Sequence, residues 1–506
     1  MTKFLDEVLD RITMYRLTLY YLIGLLGAAV VLASVGVLHA DPFAIVFTTA
    51  FLIGACALVN WVFAKVYGVP TNNESAYITA LVLALIIAPL QSYGDLWFLG
   101  WAAVWAMASK YIIAIRGKHL FNPAAFAVAL TYFTINQSAN WWVGSAPMLP
   151  LAVVGGLLVI RKTRRGDLVM AFLLAALWST AAYSLWTGQG LGTALARLVI
   201  DSPLVFFASI ILTEPLTMPG TERHRLVYGA LVGILFTPLV HLGAFYTTPE
   251  LAILAGNLYA TLTDLRPNLL LRLKDRVQMA PDTWEFVFVP SRKLAYVPGQ
   301  YMEWTLATDH DDSRGNRRYF TLASSPTEDM IRLGVKFYSN SSTLKRSLLA
   351  MKPEDEILAS HLAGDFVLPS DVRQKCVFIA GGIGITPFRS MIQYVMDTRQ
   401  RRPIVLFYSA KTPKEFVYRN VFEKARQVLG IKTIYTVTDE HSQPTGWNLT
   451  RGRVTPQMIR TEVPDYAACQ FYVSGPTAMV DSTRQMLRQM GIRENRIKTD
   501  YFSGLG

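Results

Sequence analysis

Two stretches in the second half of the chain decide its fold: RRYFTLASSP at residues 317–326 and GGIGITP at residues 381–387. On a β-strand, the first stretch would present alternate side chains on one face. The second follows the apolar run at residues 377–380, and its glycines are typical of a tight turn between a buried strand and a helix. Both stretches lie behind residues 1–267, which are strongly apolar. The sequence therefore predicts a water-soluble module joined to a membrane domain.

The composition agrees with this division. The chain has 506 residues, 52% of them hydrophobic, and a mean hydropathy of +0.30, which is too apolar for a wholly soluble protein. From residue 268 onward, 33 Lys and Arg stand against 24 Asp and Glu, and such a basic half suits anionic lipid headgroups and anionic cofactors. Acids are interspersed with the basic residues, and no basic run carries the aromatics of a nucleic-acid motif. The sequence therefore predicts the lipid bilayer as a partner and no nucleic acid.

Apolar runs close to the roughly 20 residues that cross a bilayer indicate ten candidate spans in residues 1–267. They lie near 15–38, 42–64, 75–89, 95–115, 122–135, 147–160, 167–186, 203–215, 227–246 and 249–264. Ten spans place both termini on one side, and the loops on that side carry the basic residues, with Arg197 as the exception. The positive-inside rule then predicts an integral protein of a bacterial-type inner or plasma membrane, with both termini and the soluble module in the cytoplasm.

The third span, 75–89, and the eighth, 203–215, are short and bounded by proline. They hold the same rank in two sets of five spans, and short proline-interrupted segments at matching positions indicate a 5+5 inverted repeat with a site between its halves. Glu74, Asn122 and Glu214 fall near these segments and are candidate cofactor contacts, because polar groups in a membrane need a partner. Helix capping is an open alternative for Asn122, which precedes a proline.

Four motifs carry a family resemblance in this half: NESAYITAL at 73–81, KHLFNPAAF at 118–126, ILTEP at 211–215 and YGALVG at 228–233. In this order they resemble the flavin-carrying membrane subunits of the Na⁺-translocating NADH:quinone reductase and of the Rnf complex. Those families usually attach FMN covalently to the threonine of a Ser-Gly-Ala-Thr motif, but residues 134–145 here read TINQSANWWVGS. The resemblance therefore implies a second, non-covalent flavin, FMN or riboflavin, near Glu74, Asn122 and Glu214.

The soluble half shows two patterns in succession. From residue 272, short alternating runs such as WEFVFV at 284–289 indicate an antiparallel β-barrel. Past residue 375, apolar strands alternate with helical stretches, as in a parallel α/β sheet. The predicted fold class is thus a polytopic all-α membrane domain, 1–267, followed by a β-barrel domain, 268–370, and an α/β nucleotide-binding domain, 371–506.

Three motifs in this half are candidates for binding phosphate groups or a dinucleotide. They are the GGIGITP turn at 381–387, the polar loop NSSTLKR at 340–346 and the strand and turn YVSGP at 472–476. A helix N-terminus and close backbone approach both suit phosphate groups. Together the motifs resemble the ferredoxin–NADP reductase superfamily across 268–506, which implies FAD on the barrel and NADH or NADPH on the sheet. The implied catalytic residues are Tyr319, Thr321, Ser474 and Phe502. The implied cofactor-binding residues are Arg318, Tyr319, Phe320, Thr321, Lys336, Ser341, Ser342, Thr343, Gly381, Gly382, Gly384, Thr386, Pro387, Gly475 and Pro476.

Two departures from this family's pattern bear on the chemistry. The family commonly has cysteine where Ser474 stands, although a hydroxyl can still contact a nicotinamide. By the resemblance, Phe502 or Tyr501 covers the flavin face that the nicotinamide must reach. Lys411 could meet a 2′-phosphate or be a solvated loop charge, so the choice between NADH and NADPH stays open.

The leading hypothesis is a membrane NAD(P)H dehydrogenase that passes electrons from FAD through the membrane flavin to a quinone or an extracytoplasmic acceptor. A redox-driven pump for Na⁺ or H⁺ is an alternative from another class, and Glu74 and Glu214 are the residues that would serve it. A third hypothesis, a non-catalytic NAD(P)H sensor, is disfavoured because so many flavin-contact positions are filled.

The sequence has too few suitably placed histidines and cysteines to bind a haem or an iron–sulfur cluster. A haem-type ferric reductase would need paired intramembrane histidines, and of the four histidines in residues 1–267 only His241 falls within a predicted span. Cys56, Cys376 and Cys469 are too scattered to ligate an iron–sulfur cluster. Cys376 and Cys469 adjoin apolar strand-like runs and are predicted to be small core residues. We therefore expect no metal site.

Overall fold

A computed structural model divides the chain into two units, residues 1–267 and 268–506. The structure describes residues 9, 12–68, 73–115, 118–242, 245–263, 269–306, 316–439 and 449–502. Each unit has its own hydrophobic core, so each is described separately.

The first unit is helical. Its helices are Met14–Ser34, Pro42–Tyr67, Asn73–Ile86, Asp95–Ile112, Pro123–Ile135, Leu149–Thr163, Gly166–Thr187, Leu191–Ile200, Leu204–Phe206 with the π-helix Phe207–Ile211, Glu222–Leu235 and Pro249–Thr263. Two small antiparallel hairpins lie between helices: β1 (Ala114–Ile115) pairs with β2 (Lys118–His119), and β3 (His241–Leu242) pairs with β4 (Phe245–Tyr246).

Among the described helices, Met14–Ser34, Pro42–Tyr67 and Gly166–Thr187 are long and apolar enough to cross a membrane. A fourth candidate is the pair Leu191–Ile200 and Leu204–Ile211, which bends by 58°. The prediction of a helical half with membrane-spanning segments is thus supported in coarse form. Ten crossings, their direction and the inverted repeat stay predictions.

One predicted span needs correction. The segment 227–246 is helical only as far as Leu235 and then turns into the β3–β4 hairpin. His241 therefore lies in a strand at the end of this helix, which removes the one histidine that had been assigned to a span. A run of apolar residues marks burial or lipid contact without fixing where a helix ends.

The second unit begins with an antiparallel sheet. Its strands are β5 (Leu269–Ala280), β6 (Thr283–Pro290), β7 (Tyr301–Thr305), β8 (Arg317–Thr321), β9 (Ile331–Lys336) and β10 (Glu356–Ala363). They are ordered β8–β7–β10–β5–β6–β9, and helix Thr343–Ala350 stands between β9 and β10. Large side chains such as Phe286, Phe288 and Trp304 fill its core.

A parallel sheet follows, with its core on both faces. Its strands are β11 (Cys376–Gly381), β12 (Ile404–Ala410), β13 (Lys432–Val437), β14 (Leu449–Arg451), β15 (Gln470–Pro476) and β16 (Ile497–Phe502), and its helices include Thr386–Asp397, Arg419–Leu429, Pro456–Glu462 and Thr477–Gln489. The strands are ordered β14–β13–β12–β11–β15–β16. After β11 the chain adds strands on one side as far as β14, and it then crosses to the other side of β11 for β15 and β16, so the strand order switches between β11 and β15. Ligands of open α/β sheets bind outside the carboxyl ends of the strands at such a switch.

Candidate functional site

Two glycine turns meet at the carboxyl ends of β11 and β15. The first turn contains Gly382, in the left-handed region with φ 52°, and leads into helix Thr386–Asp397. A Cβ atom added to Gly384 would lie 2.6 Å from backbone atoms of Ser474 and Gly475 in the second turn. Any side chain at position 384 would therefore collide with the second turn. Glycine allows the two turns to touch, and this contact places the start of the helix beside the end of β15.

Ser474 contributes a hydroxyl at this junction. Its side chain is fully buried, and its Oγ has no hydrogen-bond partner within the described part of the chain. Buried polar groups are nearly always hydrogen-bonded, so an unpaired hydroxyl beside a glycine turn suits a polar ligand group such as a carboxamide. Thr386 and Pro387 have other contacts, since Thr386 Oγ1 donates to the Ile383 carbonyl at 3.2 Å and both residues are buried at the start of the helix.

The exposed aromatic ring of Tyr319 marks the barrel side of the site. In β8 this residue lies opposite Glu303 of β7 and is 42% exposed. The rings of Tyr301 and His361 meet it edge-on, with centroids 5.6 Å and 6.3 Å away. Thr321, two residues further on, is buried. A framed and exposed aromatic face of this kind can stack against a flat ring such as isoalloxazine.

Two neighbours of Tyr319 have contacts within the barrel. Arg318 donates from Nη1 to the carbonyl of Arg317 at 2.6 Å. Phe320 packs against the barrel core. The pyrophosphate contact of Arg318 and the flavin contact of Phe320 stay predictions, and packing already accounts for Phe320.

The predicted phosphate loop forms a helix start. Ser342 is the N-cap of helix Thr343–Ala350, and its side chain accepts from the Lys345 amide at 3.4 Å. Ser341 Oγ donates to the Tyr338 carbonyl at 2.7 Å, so both serine hydroxyls stabilise the turn itself. A phosphate could therefore bind through the backbone amides and the partial positive charge of the helix N-terminus.

Lys336 lies at the end of β9 and forms an ion pair with Glu415, at a distance of 2.8 Å from Nζ to Oε2. This contact joins the barrel to the segment after β12, so the predicted cofactor contact of Lys336 would compete with an existing partner.

At the last strand, the two aromatic candidates differ in their contacts. Tyr501 donates from its hydroxyl to Asp481 at 3.0 Å. Phe502 is paired with Pro476 across the ladder between β15 and β16. Phe502 thus lies beside the second glycine turn, and the choice of Phe502 over Tyr501 as a flavin cover stays a prediction.

A charged cluster between the barrel and the parallel sheet was missed in the sequence analysis. Arg389 donates to both carboxylate oxygens of Glu328, with one contact at 2.9 Å. Burial would raise the pKa of the Glu328 carboxyl, but the hydrogen bond and charge of Arg389 outweigh it and hold this pKa below its ordinary value. The available signal was Arg389 itself, a charged residue on a buried face of the helix after the glycine turn.

In the helical unit, Asn122 and Glu214 are brought together. Asn122 caps helix Pro123–Ile135 by accepting from the Ala125 amide at 3.0 Å, and its Nδ2 donates to Glu214 at 2.8 Å. The capping interpretation of this asparagine is thus observed, and its contact with a cofactor stays a prediction. Asn257 accepts from the Asn122 amide at 2.9 Å, and His119 Nε2 lies 3.6 Å from Glu214.

Glu74 lies in a separate ion pair. Arg16 Nη1 is 2.7 Å from its Oε1, and Lys110 donates to the backbone and hydroxyl oxygens of the next residue, Ser75, at 3.0 Å and 3.1 Å. The carboxylate is thus held at the start of the short helix Asn73–Ile86.

The two short segments of the predicted repeat converge on Trp141. Its amide donates to the carbonyl of Ile86 at 2.8 Å, at the end of the first short helix. Its ring lies 5.9 Å from that of Phe207 in the second short segment. Its indole Nε1 donates at 3.0 Å to the buried carboxylate of Glu250. The carbonyl at the end of the first short helix and the Glu250 carboxylate thus share Trp141 as a hydrogen-bond donor.

Comparison with known proteins bears on the C-terminal half. Residues 378–485 match the oxidoreductase NAD-binding domain family. The chain is 24% identical over 240 residues to the glycine betaine monooxygenase reductase subunit of Pseudomonas aeruginosa, which covers 45% of this chain and 63% of the relative. It is 24% identical over 245 residues to flavohemoprotein A of Dictyostelium discoideum, which covers 46% and 59%. The second half of the chain is thus similar to oxidoreductase NAD-binding domains and to a reductase subunit.

Two solved structures were also found to be similar to part of the chain. The FAD/NAD binding domain of the Vibrio cholerae nitric oxide dioxygenase matches 47% of this chain and 99% of its own, with a TM-score of 0.42 and 20% identity. The Neisseria gonorrhoeae ferredoxin NADP⁺ reductase with bound FAD and NADP matches 46% and 98%, with a TM-score of 0.39 and 17% identity.

The chain spans less than two-thirds of the length of these two curated relatives. The prediction that this half contains the NAD-binding part of an oxidoreductase module is confirmed. The resemblance of residues 15–267 to flavin-carrying membrane subunits stays a prediction.

Proposed function

We propose that the protein is a membrane NAD(P)H dehydrogenase. Its reductase-like half would oxidise cytoplasmic NAD(P)H, and its helical half would carry the electrons to a quinone or an extracytoplasmic acceptor. The observation that carries the proposal is the meeting of the two glycine turns beside the Ser474 hydroxyl, which has no hydrogen-bond partner among the described residues. The exposed ring of Tyr319 lies in the same unit.

The residues present fit FAD and a nicotinamide dinucleotide. Tyr319 would stack on the flavin, with Arg318 and the helix start at Thr343 near its phosphates. The turn containing Gly382 and Gly384 would receive the dinucleotide pyrophosphate. FAD, when bound, supplies a hydride acceptor that can release electrons singly.

Ser474 would orient the substrate. Its buried Oγ can donate to the carboxamide oxygen or accept from the carboxamide nitrogen, which would fix the rotation of the nicotinamide ring. Phe502, beside the second turn, would exclude water from the flavin face until the nicotinamide enters.

In the helical unit, Asn122 and Glu214 are the residues that would hold a second, non-covalent flavin, FMN or riboflavin. Their side chains are already oriented by hydrogen bonds to each other and, through the Asn122 amide, to Asn257, so donors and acceptors are pre-arranged in an apolar surrounding. Glu74 would be a further contact. Such a carrier is needed because a hydrocarbon core about 30 Å thick separates the two membrane faces.

The test is flavin content and reduction of the purified full chain. Heat or acid should release FAD together with FMN or riboflavin, and anaerobic NADH or NADPH should bleach the flavin absorbance. Asn122→Ala should lose the second flavin and keep FAD, whereas Tyr319→Ala should do the reverse. Release of FAD alone from the wild type would refute the membrane flavin, and absence of bleaching with either nucleotide would refute the dehydrogenase.

A further inference from the structure

A buried brace joins the loop after β8 to the helix after the first glycine turn. Arg389, 5% exposed, donates from Nη1 to the carbonyl of Ala323 at 3.1 Å and binds Glu328 through both terminal nitrogens. Ala323 lies two residues after Thr321, and Arg389 lies three residues after Thr386. One side chain therefore connects the end of the predicted flavin strand to the start of the nucleotide-binding helix.

The carboxylate in this brace is itself fixed from the barrel side. The amide of Ser325 donates to Glu328 at 2.6 Å, and Arg332 Nε donates to it at 3.2 Å. Arg332 also donates to Glu285 in β6 at 2.6 Å. Glu328 is thus fixed to the sheet that contains Tyr319, and its hydrogen bonds to Arg389 fix the guanidinium relative to the same sheet.

Other contacts hold the same boundary without the arginine. Ser390 donates to the carbonyl of Ser324 at 2.5 Å, and Thr327 donates to Asp397 at 2.5 Å. The barrel and the helix would therefore stay attached if Arg389 were shortened. What the planar guanidinium adds is a fixed direction, because its two parallel hydrogen bonds to one carboxylate define an orientation that a lysine cannot define.

We propose that Arg389 is a positioning residue for hydride transfer, acting through Glu328. The inference rests on the proposed function: NAD(P)H is oxidised to NAD(P)⁺ as its hydride, two electrons with one proton, passes to FAD. Transfer needs the donor carbon and the acceptor atom within a narrow distance, and a displacement of about 1 Å can slow such a step by about a hundredfold. A brace between the two binding elements is suited to setting that distance.

The test uses the full chain in detergent, with FAD content measured first and anaerobic reduction then followed by stopped flow with NADH and with NADPH. Arg389→Lys should lower the limiting reduction rate about tenfold or more, because the charge remains but the fork is lost. FAD content and the nucleotide concentration for half-maximal rate should stay within about twofold of the wild-type values, since the brace does not form either binding site.

Glu328→Gln should slow reduction similarly, and the double variant should be no slower than the slower single variant, because residues that act through one another are not additive. Arg402→Lys is the matched control. Arg402 also donates to backbone carbonyls, of Pro369 at 2.9 Å and Asp371 at 3.3 Å, but it lies outside the brace, so its variant should reduce at the wild-type rate.

A lower melting temperature with an unchanged limiting rate in Arg389→Lys and Glu328→Gln would overturn the proposal, because it would make the brace purely structural. Should Arg389→Lys fail to fold, Glu328→Gln alone decides by the same criterion. A wild-type protein that neither nucleotide reduces would instead overturn the proposed function, which is a separable failure.

Discussion

Replacing Gly384 by alanine tests the geometry of the nucleotide site most sharply. The added Cβ would lie 2.6 Å from the Gly475 Cα and amide nitrogen and from the Ser474 carbonyl oxygen. Since carbon atoms pack best at about 3.5–4.0 Å, one turn must move by about 1 Å. Overpacking of this kind costs about 1–3 kcal/mol of stability. A displacement of about 1 Å at the reacting groups should slow flavin reduction by about a hundredfold.

The assay is anaerobic stopped-flow reduction of FAD-loaded protein. Gly384→Ala should keep FAD, lose stability and reduce slowly even at saturating nucleotide, and the larger Gly384→Val should block reduction. Gly491→Ala is the control for stability, because its φ of +88° makes alanine costly although open space surrounds it, away from both turns. A wild-type limiting rate in Gly384→Ala would refute the contact between the turns as the reason for this glycine.

Three further predictions concern other parts of the molecule. Tyr319→Ala should loosen FAD while Tyr319→Phe retains it, as measured by flavin content after gel filtration, because stacking needs the ring and not the hydroxyl. The folded-state pKa of Glu328 is depressed, so its contribution to stability is present above its unfolded pKa and is lost as pH falls through the folded value. Acid denaturation should accordingly be shallower in Glu328→Gln than in the wild type. Trp141→Phe removes the indole donor to Glu250 and should lower thermal stability in detergent by roughly 1.5–3 kcal/mol, as for a hydrogen bond to a charged group. In the Glu250→Gln background the loss should be smaller.

Local patterns in the sequence were sufficient to predict the two sheets of the second half of the chain. Period-two runs before residue 370 correspond to the antiparallel strands, and the glycine stretch at 381–387 joins the end of β11 to the start of helix Thr386–Asp397. Cys376 and Cys469 are buried, as predicted of core residues. These features depend on residues close together in the chain, so periodicity and turn chemistry report them directly.

Long-range pairing was less predictable. The local sequence does not predict the ion pair of Lys336 with Glu415 or that of Arg389 with Glu328. It also does not predict that Gly384 packs against Gly475. Each contact joins two segments that are far apart in the chain and that come together only when the two sheets have folded. Burial of a charge is visible only when the helix face is known, which is why Arg389 was missed.

In the helical half, hydropathy predicted where apolar segments lie but overestimated their regularity. The segment 227–246 contains a helix end and a hairpin, and the eighth segment contains a π-helix, Phe207–Ile211. The π-helix also has long-range contacts that local hydropathy does not report, such as that between the rings of Phe207 and Phe236, whose centroids are 4.9 Å apart. Asn122 and Glu214 were each placed near a short segment, but the hydrogen bond between them was not predicted.

The central claim is that electrons from NAD(P)H enter the helical half. An anaerobic titration of the purified full chain with NADH or NADPH, followed by flavin absorbance, measures how many reducing equivalents it accepts per bound FAD. We predict an uptake beyond the capacity of FAD, with the excess lost in Asn122→Ala and retained in Arg402→Lys. Uptake that ends when FAD is fully reduced, with the same end point in the wild type and in Asn122→Ala, would contradict the account.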